Sequence, residues 1–114
     1  MPLRGEVVSV DALSCSDREQ MYAILAGHFE GVTAAMFLRD LREKQWAIVL
    51  RTGGTDEIVG FSTQTVLQTT VAGRAVRALF SGDTIIDRRH WGDTELIRVW
   101  GDIVRAVRQE LWPA

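Results

Sequence analysis

The part of the chain best suited to chemistry is a short basic segment in its second half. Residues 87–94 read Asp-Arg-Arg-His-Trp-Gly-Asp-Thr, and a helical pattern follows directly. A helix N-terminus presents unpaired N–H groups and the positive end of the helix dipole, and arginine side chains suit phosphate groups. The segment is therefore compatible with an anion-binding site. A purely structural bend is the alternative interpretation.

The strand-like run before this segment contains an irregularity. Apolar alternation up to Phe80 is out of phase with Ile85 and Ile86, and Ser81-Gly82-Asp83 lies between them. A glycine in mid-strand with slipped alternation is typical of a β-bulge, or of a place where a ligand approaches the backbone closely. We therefore predict a bulge near Gly82.

Composition excludes several classes of protein. The 114 residues are 46% hydrophobic and 25% charged, as in an ordinary globular domain, and the net charge of −2 gives no bulk attraction to nucleic acid. The single cysteine, Cys15, excludes an internal disulfide framework, and the two histidines are not part of a metal-binding pattern. No apolar run approaches the roughly 18 residues of a membrane span, and the N-terminus lacks the apolar part of a signal peptide. We expect one cytoplasmic domain over residues 1–114 without a nucleic-acid, membrane or metal partner.

The first half of the chain predicts a strand and two helices. The stretch from Gly5 to Leu13 is rich in valine and fits a first strand. Ser16 and Glu19 match a capping box, and the helix after them is expected to end near Gly31. Thr33 is placed to cap a second helix. Both helices have apolar residues at helical spacing: Met21, Ile24, Leu25 and Phe29 in the first, and Met36, Phe37 and Leu41 in the second.

The second half predicts three strands and a final helix. Residues 45–71 form a β-hairpin pattern around Gly53-Gly54-Thr55-Asp56, Ala72-Gly73 is a second turn, and residues 74–87 are a further strand. Apolar residues at helical spacing then extend the last helix from Thr94 to Trp112. The order is β-α-α-β-β-β-α, a mainly antiparallel α+β sheet of the α/β type with helices on its faces. Trp112 is the aromatic residue best placed for a subunit contact.

This element order and the segment around Arg89 resemble the GNAT (N-acetyltransferase) superfamily. Its members bind the pyrophosphate of an acyl-CoA with a Gln/Arg-x-x-Gly-x-Gly/Ala loop at the start of the third helix. Arg89-His90-Trp91-Gly92-Asp93-Thr94 matches two of these three positions, with Thr94 where Gly or Ala is usual. The run from Phe80 to Arg88 with His90-Trp91-Gly92 also resembles a bacterial subgroup of GNAT-like proteins. The element order covers nearly the whole chain, and the specific resemblance covers about residues 76–100.

The resemblance implies a binding site for acetyl-CoA or another acyl-CoA. The pyrophosphate would be held by backbone N–H groups and by an arginine side chain, from Arg88, Arg89, Trp91, Gly92, Asp93 and Thr94. The pantetheine arm and the thioester carbonyl would lie along the backbone of Leu79, Phe80 and Ser81. Thr94 limits how closely the backbone can approach a phosphate, and it can instead cap the helix with its hydroxyl.

Asp83 is the candidate catalytic residue. An amine must be neutral to attack a thioester, and a carboxylate on the central strand can relay its proton. The alternative role for Asp83 is to accept backbone N–H bonds at the bulge. Asp87 is expected to pair with Arg88 or Arg89 or to cap the loop, and His90 is expected to be a packed loop residue. His28 and Glu30 are either lining residues of an acceptor pocket or exposed residues at the end of the first helix.

The resemblance also implies elements for which this sequence has no residues. Superfamily members continue with a fifth strand beside the fourth, and often with a tyrosine that protonates the leaving thiolate. The expectation is that residues 1–114 cover the N-terminal part of the domain, through the helix of the cofactor loop. Two explanations for the open edge of the sheet follow: the chain is a fragment of a longer protein, or a second copy pairs with that edge. The predicted function is acyl-CoA binding, and the further expectation is acetyl transfer from acetyl-CoA to an amine of an unknown acceptor. The alternative is a non-catalytic scaffold for dimerisation or partner binding.

Overall fold

The computed structural model describes residues 3–108 and shows four strands and three helices. The elements are β1 (Leu3–Ser9), α1 (Cys15–His28), α2 (Ala34–Arg42), β2 (Trp46–Thr52), β3 (Ile58–Val71), β4 (Arg74–Ile86) and α3 (Glu95–Arg108). The strands form one antiparallel sheet in the order β1-β2-β3-β4. The predicted α+β class and element order are confirmed. The predicted end of the last helix at Trp112 and the suggested contact of that residue lie outside the described residues.

Helices cover both faces of the sheet. On one face, α1 and α2 pack against alternate residues of the strands, including Ala47, Val49 and Phe61, and we call this cluster the first core. On the other face, α3 packs against Ile48, Leu50 and Val59, and this is the second core. The apolar run from Trp46 to Leu50 has no polar alternation because β2 is buried on both faces.

The start of α1 differs from the prediction. Ser14, not Ser16, is the N-cap: its hydroxyl accepts a hydrogen bond from the N–H of Asp17 at 3.0 Å, and the Asp17 carboxylate accepts one from the N–H of Ser14 at 3.2 Å. The helix ends at His28, three residues before Gly31. The predicted cap of α2 is confirmed, because the Thr33 hydroxyl accepts a hydrogen bond from the N–H of Met36 at 3.1 Å.

The first strand is shorter than predicted, and the β3–β4 hairpin is longer than the strands beside it. β1 ends at Ser9, where a 3₁₀ turn over Val10–Ala12 leads toward α1. β2 pairs with β3 only as far as Gln64, whereas β3 and β4 remain paired out to Val71 and Arg74. No helix within residues 3–108 combines the length and the apolar character needed to cross a membrane.

Candidate functional site

A β-bulge in β4 lies at the predicted position. Ser62 pairs with Thr84 and Gln64 pairs with Ser81, so Gly82 and Asp83 together lie opposite Thr63. The extra residue places the side chain of Ser81 on the α3 face and that of Asp83 on the α1/α2 face, although a regular strand would place both on one face. The bulge therefore directs Asp83 toward α1 and α2.

Gly82 is required at this bulge for steric reasons. A Cβ atom at this position would lie 2.4 Å from Thr63 Oγ1 and 2.7 Å from Lys44 Cε. Both distances are far below van der Waals contact. Thr63 belongs to β3 and is 3% exposed, and so it cannot move away freely.

On the α3 face, a chain of hydrogen-bonded side chains crosses the strands at the bulge. The indole N–H of Trp100 donates to Ser81 Oγ at 3.2 Å, and Ser81 Oγ donates to Gln64 Oε1 at 3.0 Å. Gln64 Nε2 then donates to Ser62 Oγ at 2.7 Å, which lies 2.8 Å from the hydroxyl of Thr84. The Gln64 side chain is fully buried. A buried amide bonded at both its ends fixes the register of the strands on either side of the bulge.

The three predicted contacts of the pantetheine arm have different environments. Leu79 packs against the second core, Phe80 is 54% exposed on the opposite face, and Ser81 belongs to the hydrogen-bonded chain. What they share is the backbone of β4, which within residues 3–108 pairs with β3 alone. Alternate N–H and C=O groups on its other edge are therefore open to a ligand or to another strand.

The segment after β4 is a tight turn that leads into α3. The N–H of Arg89 donates to the Asp87 carboxylate at 3.0 Å, and the N–H groups of Trp91 and Asp93 donate to the carbonyls of Arg88 and His90. Three of the predicted phosphate-binding N–H groups, those of Arg89, Trp91 and Asp93, thus already donate hydrogen bonds within the turn. Those of Gly92 and Thr94, and of Leu96 and Ile97 in the first turn of α3, have no hydrogen-bond partner among the described residues.

Gly92 leaves the surface of this turn open. Its φ of +103° is in a region that L-amino acids rarely adopt, and no atom lies within 4 Å of the position of an added Cβ. At the start of α3 the carboxylate of Asp93 accepts a hydrogen bond from the N–H of Glu95 at 2.8 Å, and the carbonyl of Thr94 accepts one from the N–H of Arg98. The indole of Trp91 is 62% exposed and is held by a hydrogen bond to the carbonyl of Ile86.

Carboxylates neutralise part of the positive charge predicted for this region. Arg89 pairs with Asp87 at 3.2 Å, as expected for Asp87, and the hydrogen bond from Arg89 is the main reason that the pKa of Asp87 is lowered. Arg98 pairs with Glu95 at 2.7 Å. The Arg88 guanidinium instead lies 5.5 Å from the centre of the Trp91 ring, and no carboxylate within residues 3–105 forms an ion pair with it. Arg88 is therefore the arginine of this turn whose charge is available to a ligand.

Glu95 joins α3 to the first strand and makes stability depend on pH. Its carboxylate accepts a hydrogen bond from the N–H of Gly5 at 2.8 Å, and the bond from Arg98 is the largest cause that lowers the pKa of Glu95 to about 2. This stabilisation is complete above the ordinary pKa near 4.5 and is lost as the pH falls toward 2.

We expect Glu95→Gln to unfold more easily than the wild type at pH 7, by about 1–2 kcal/mol, and to show a smaller loss of stability between pH 4.5 and 2. Urea denaturation across this pH range measures both effects, and parallel pH profiles would contradict the assignment.

Two cavities flank the C-terminal half of α1 on the same face of the sheet. One, of about 550 Å³, lies between α1 and the end of β4, and its lining includes His28, Asp87 and Arg88. The other, of about 340 Å³, lies between α1, α2 and the bulge, and its lining includes Glu30 and Asp83. Asp83 is thus beside a cavity, as a base for an acceptor requires. His28 and Glu30 line different cavities.

Sequence reasoning did not identify Gln64, Trp100 or Asp40 at this site. The sequence signal for Gln64 was weak, because a glutamine within a Thr-rich strand is typical of an exposed face.

No three His, Cys, Asp or Glu side chains within the described part of the chain are grouped closely enough to hold a metal ion. His90 is half-buried in the turn, as expected for a packed loop residue.

Comparison with solved structures shows which known fold this architecture matches. The crystal structure of an acetyltransferase from Trypanosoma brucei superposes with a TM-score of 0.63 at 19% sequence identity, over 94% of this chain and 75% of that chain. Glucosamine-6-phosphate N-acetyltransferase from Arabidopsis thaliana superposes with a TM-score of 0.64 at 16% identity, over 94% of this chain and 76% of that chain. The chain has the GNAT fold. No family model and no curated protein matches it in sequence.

The bulge in β4 and the turn before α3 are neighbouring features of this GNAT fold. The likeness at these identities concerns the fold. In this chain the bulged strand β4 leads within a few residues to an open turn at a helix N-terminus. The predicted superfamily resemblance is confirmed at the level of the fold.

Proposed function

We propose that this chain is an acyl-CoA-binding domain that transfers an acetyl group from acetyl-CoA to an amine. The observation that carries the proposal is the order of features in a GNAT fold: the bulge in β4 is followed along the chain by the open turn at Gly92 and the N-terminus of α3. Among residues 3–108, no strand pairs with the edge of β4 away from β3, and the N–H groups of Gly92 and Thr94 have no hydrogen-bond partner. An acyl-CoA has a long arm that can pair with an open strand edge and an anionic pyrophosphate that can bind at a helix N-terminus.

The turn before α3 is the proposed pyrophosphate site. The N–H groups of Gly92, Thr94 and the first turn of α3 would donate to the phosphate oxygens, together with the side chain of Arg88, which belongs to the same turn and forms no ion pair within residues 3–105. Arg89 would take part only by exchanging its bond to Asp87 for one to a phosphate. The charge of the site is thus modest, and we expect binding in the micromolar range or weaker, with a clear dependence on salt.

The backbone of Leu79, Phe80 and Ser81 is the proposed site for the pantetheine arm and the thioester. An open-edge N–H group near the bulge would donate to the thioester carbonyl and stabilise the negative charge that develops on its oxygen. The hydrogen-bonded chain through Gln64 holds this part of the backbone in place from the α3 face. Positioning of this kind lowers the barrier without a covalent intermediate on the protein.

Asp83 is the proposed general base. In the reaction, the amine nitrogen bonds to the carbonyl carbon, the carbon–sulfur bond breaks, and the thiolate leaves. The proton of the attacking amine passes to the Asp83 carboxylate, which faces the cavity between α1 and α2.

A cytoplasmic location remains a prediction.

Self-association through the open edge of β4 also remains a proposal. Support comes from exposed apolar residues on one face of the β3–β4 hairpin, where the register places them together: Leu67, Val71, Val76 and Phe80. Burial of such a stripe together with strand pairing would stabilise a dimer.

Titration with acetyl-CoA by calorimetry tests the cofactor site. We expect saturable binding to the wild type, weakening of about 3- to 10-fold in Arg88→Gln, and at least about 10-fold in Arg88→Gln/Gly92→Asp, because the second change adds a negative charge to the turn. Arg42→Gln removes an arginine from the exposed surface of α2 and is the matched control. Absence of binding at millimolar acetyl-CoA, or equal binding by the double variant with an unchanged circular dichroism spectrum, would exclude this site.

A further inference from the structure

The larger of the two cavities is a groove along one side of α1, and we call it the α1 groove. It has a volume of about 550 Å³, which is within the range of small-molecule sites. Its α1 wall includes Ala23, Ile24 and Gly27. Its facing wall comes from the start of β3 and the residues after β4, and includes Glu57, Ile58 and Arg88. The α1 groove shares no lining residue with the cavity beside Asp83.

Two opposite charges on the facing wall have no partner. The Glu57 carboxylate forms no hydrogen bond or ion pair with the described residues. The Arg88 guanidinium forms none either, and lies 5.5 Å from the centre of the Trp91 ring. Asp87 also lines the groove, but its carboxylate is already paired with Arg89 at 3.2 Å. The α1 groove thus has a free anion and a free cation on one wall, and a zwitterionic ligand can pair with both.

Backbone pairing sets a short distance between the two charged residues. The N–H of Asp87 donates to the carbonyl of Val59 at 2.7 Å, so the chain after β4 runs beside the start of β3. Stretches paired in this way lie about 5 Å apart. Glu57 shortly precedes Val59 and Arg88 follows Asp87, so their side chains begin close together. An α-amino acid, which carries its ammonium and carboxylate on one carbon, suits this spacing better than a long zwitterion.

The α1 wall leaves room for an apolar side chain. No atom lies within 4 Å of the position of a Cβ added to Gly27, and Ala23, one helical turn earlier, is also small. Ile24 is half-buried and contributes apolar surface to the groove together with Ile58. A ligand side chain that covers this surface removes it from water, which favours binding.

We propose that the α1 groove binds a free α-amino acid with a large apolar side chain. The carboxylate pairs with Arg88, the ammonium pairs with Glu57, and the side chain covers Ile24 in the space beside Gly27. Binding of the amino acid here goes beyond the proposed function and does not depend on acetyl transfer.

The proposed pyrophosphate site also uses Arg88, so the two ligands share one cation. Each is therefore expected to weaken binding of the other by the same factor, about 3- to 10-fold. This mutual weakening rests on the proposed function, whereas the amino-acid site does not.

Calorimetric titration of the full chain with L-phenylalanine, in the absence of acetyl-CoA, tests the assignment. Three comparison ligands each lack one feature: 2-phenylethylamine has no carboxylate, 3-phenylpropanoate has no ammonium, and glycine has no side chain. We expect phenylalanine to bind at least about 10-fold more tightly than each of the three, because each loses an ion pair or the apolar contact. Arg88→Gln and Glu57→Gln are expected to weaken its binding by at least about 5-fold each. Arg42→Gln and Glu43→Gln make the same changes outside the groove and are the matched controls.

A variant that fills the groove separates position from charge. Gly27→Leu places a side chain in the groove, and we expect phenylalanine to bind at least about 10-fold more weakly, with stability equal or higher because leucine favours the helix. Gly101→Leu adds the same side chain to α3, at another position with no atom within 4 Å of the added Cβ, and is expected to bind phenylalanine like the wild type.

Several outcomes would overturn the proposal. Absence of phenylalanine binding at millimolar concentration would do so, as would equal binding of 2-phenylethylamine or of 3-phenylpropanoate. Unchanged binding in folded Gly27→Leu would show that the ligand does not occupy the α1 groove. Acetyl-CoA binding without phenylalanine binding contradicts this proposal alone. Phenylalanine binding without acetyl-CoA binding contradicts the proposed function and supports the amino-acid site.

Discussion

Phe61→Ala is expected to lower the free energy of unfolding by about 3–5 kcal/mol, which is a large part of the stability of a small domain. Phe61 is completely buried in the centre of the first core. Its ring makes an edge contact with Phe37 at 6.0 Å between centroids, and Phe37 in turn lies 6.1 Å from Tyr22. Truncation removes one of the contacts that join α1 and α2 to the sheet, because Tyr22 of α1 and Phe37 of α2 belong to this ring cluster. Urea denaturation followed by circular dichroism measures the change.

Phe80→Ala is the matched control for this prediction. Phe80 carries the same side chain on the neighbouring strand but is 54% exposed. We expect a loss of less than about 1 kcal/mol, since most surface substitutions have small effects. Similar losses for Phe61→Ala and Phe80→Ala would show that the first core does not have the arrangement described.

Gly82→Ala is expected to destabilise the protein by about 1–3 kcal/mol and to disturb the bulge. The added methyl group would lie 2.4 Å from Thr63 Oγ1 and 2.7 Å from Lys44 Cε, and the flexible Lys44 can move while the buried Thr63 cannot. Relief therefore requires β4 to move away from β3. We expect faster hydrogen exchange of the backbone N–H groups from Ser81 to Thr84, and acetyl-CoA binding at least about 3-fold weaker than in the wild type.

Two further variants isolate the steric cause. Gly27→Ala also adds a methyl group, but at a position where no atom lies within 4 Å, and it is expected to be neutral or slightly stabilising because alanine favours the helix. Gly82→Ala/Thr63→Ala removes the group that the new methyl meets and is expected to recover part of the lost stability. Wild-type stability and exchange rates in Gly82→Ala would contradict a close approach at this bulge.

The first residue of α1 could not be predicted from local sequence signals alone. Ser14 with Asp17 and Ser16 with Glu19 both have the spacing of a capping box, so the pattern alone leaves two starts for the helix. Contacts distant in sequence distinguish them. Leu13 and Met21 are buried, and Asp17 pairs with Arg51 at 3.2 Å, which fixes where the chain enters the helix.

The free charge of the turn before α3 also could not be predicted from local sequence alone. The sequence correctly places basic residues between β4 and α3, because a change from strand to helix periodicity is a local feature. It does not show which arginines remain free. Arg89 is neutralised by a neighbour two residues away, and Arg98 pairs with Glu95, whose other hydrogen bond is to Gly5 at the opposite end of the chain.

Element order, the bulge at Gly82 and the GNAT resemblance could be predicted from the amino-acid sequence, since each depends on residues close together in the chain. The cavity between α1, α2 and β4, the buried amide of Gln64 and the Thr63 hydroxyl, which has no hydrogen-bond partner within the described part of the chain, could not. Each of these results from groups that become neighbours only when the helices pack on the sheet, as Glu30, Asp40 and Asp83 do. The local pattern thus specifies the scaffold, and long-range packing decides which side chains become neighbours on it.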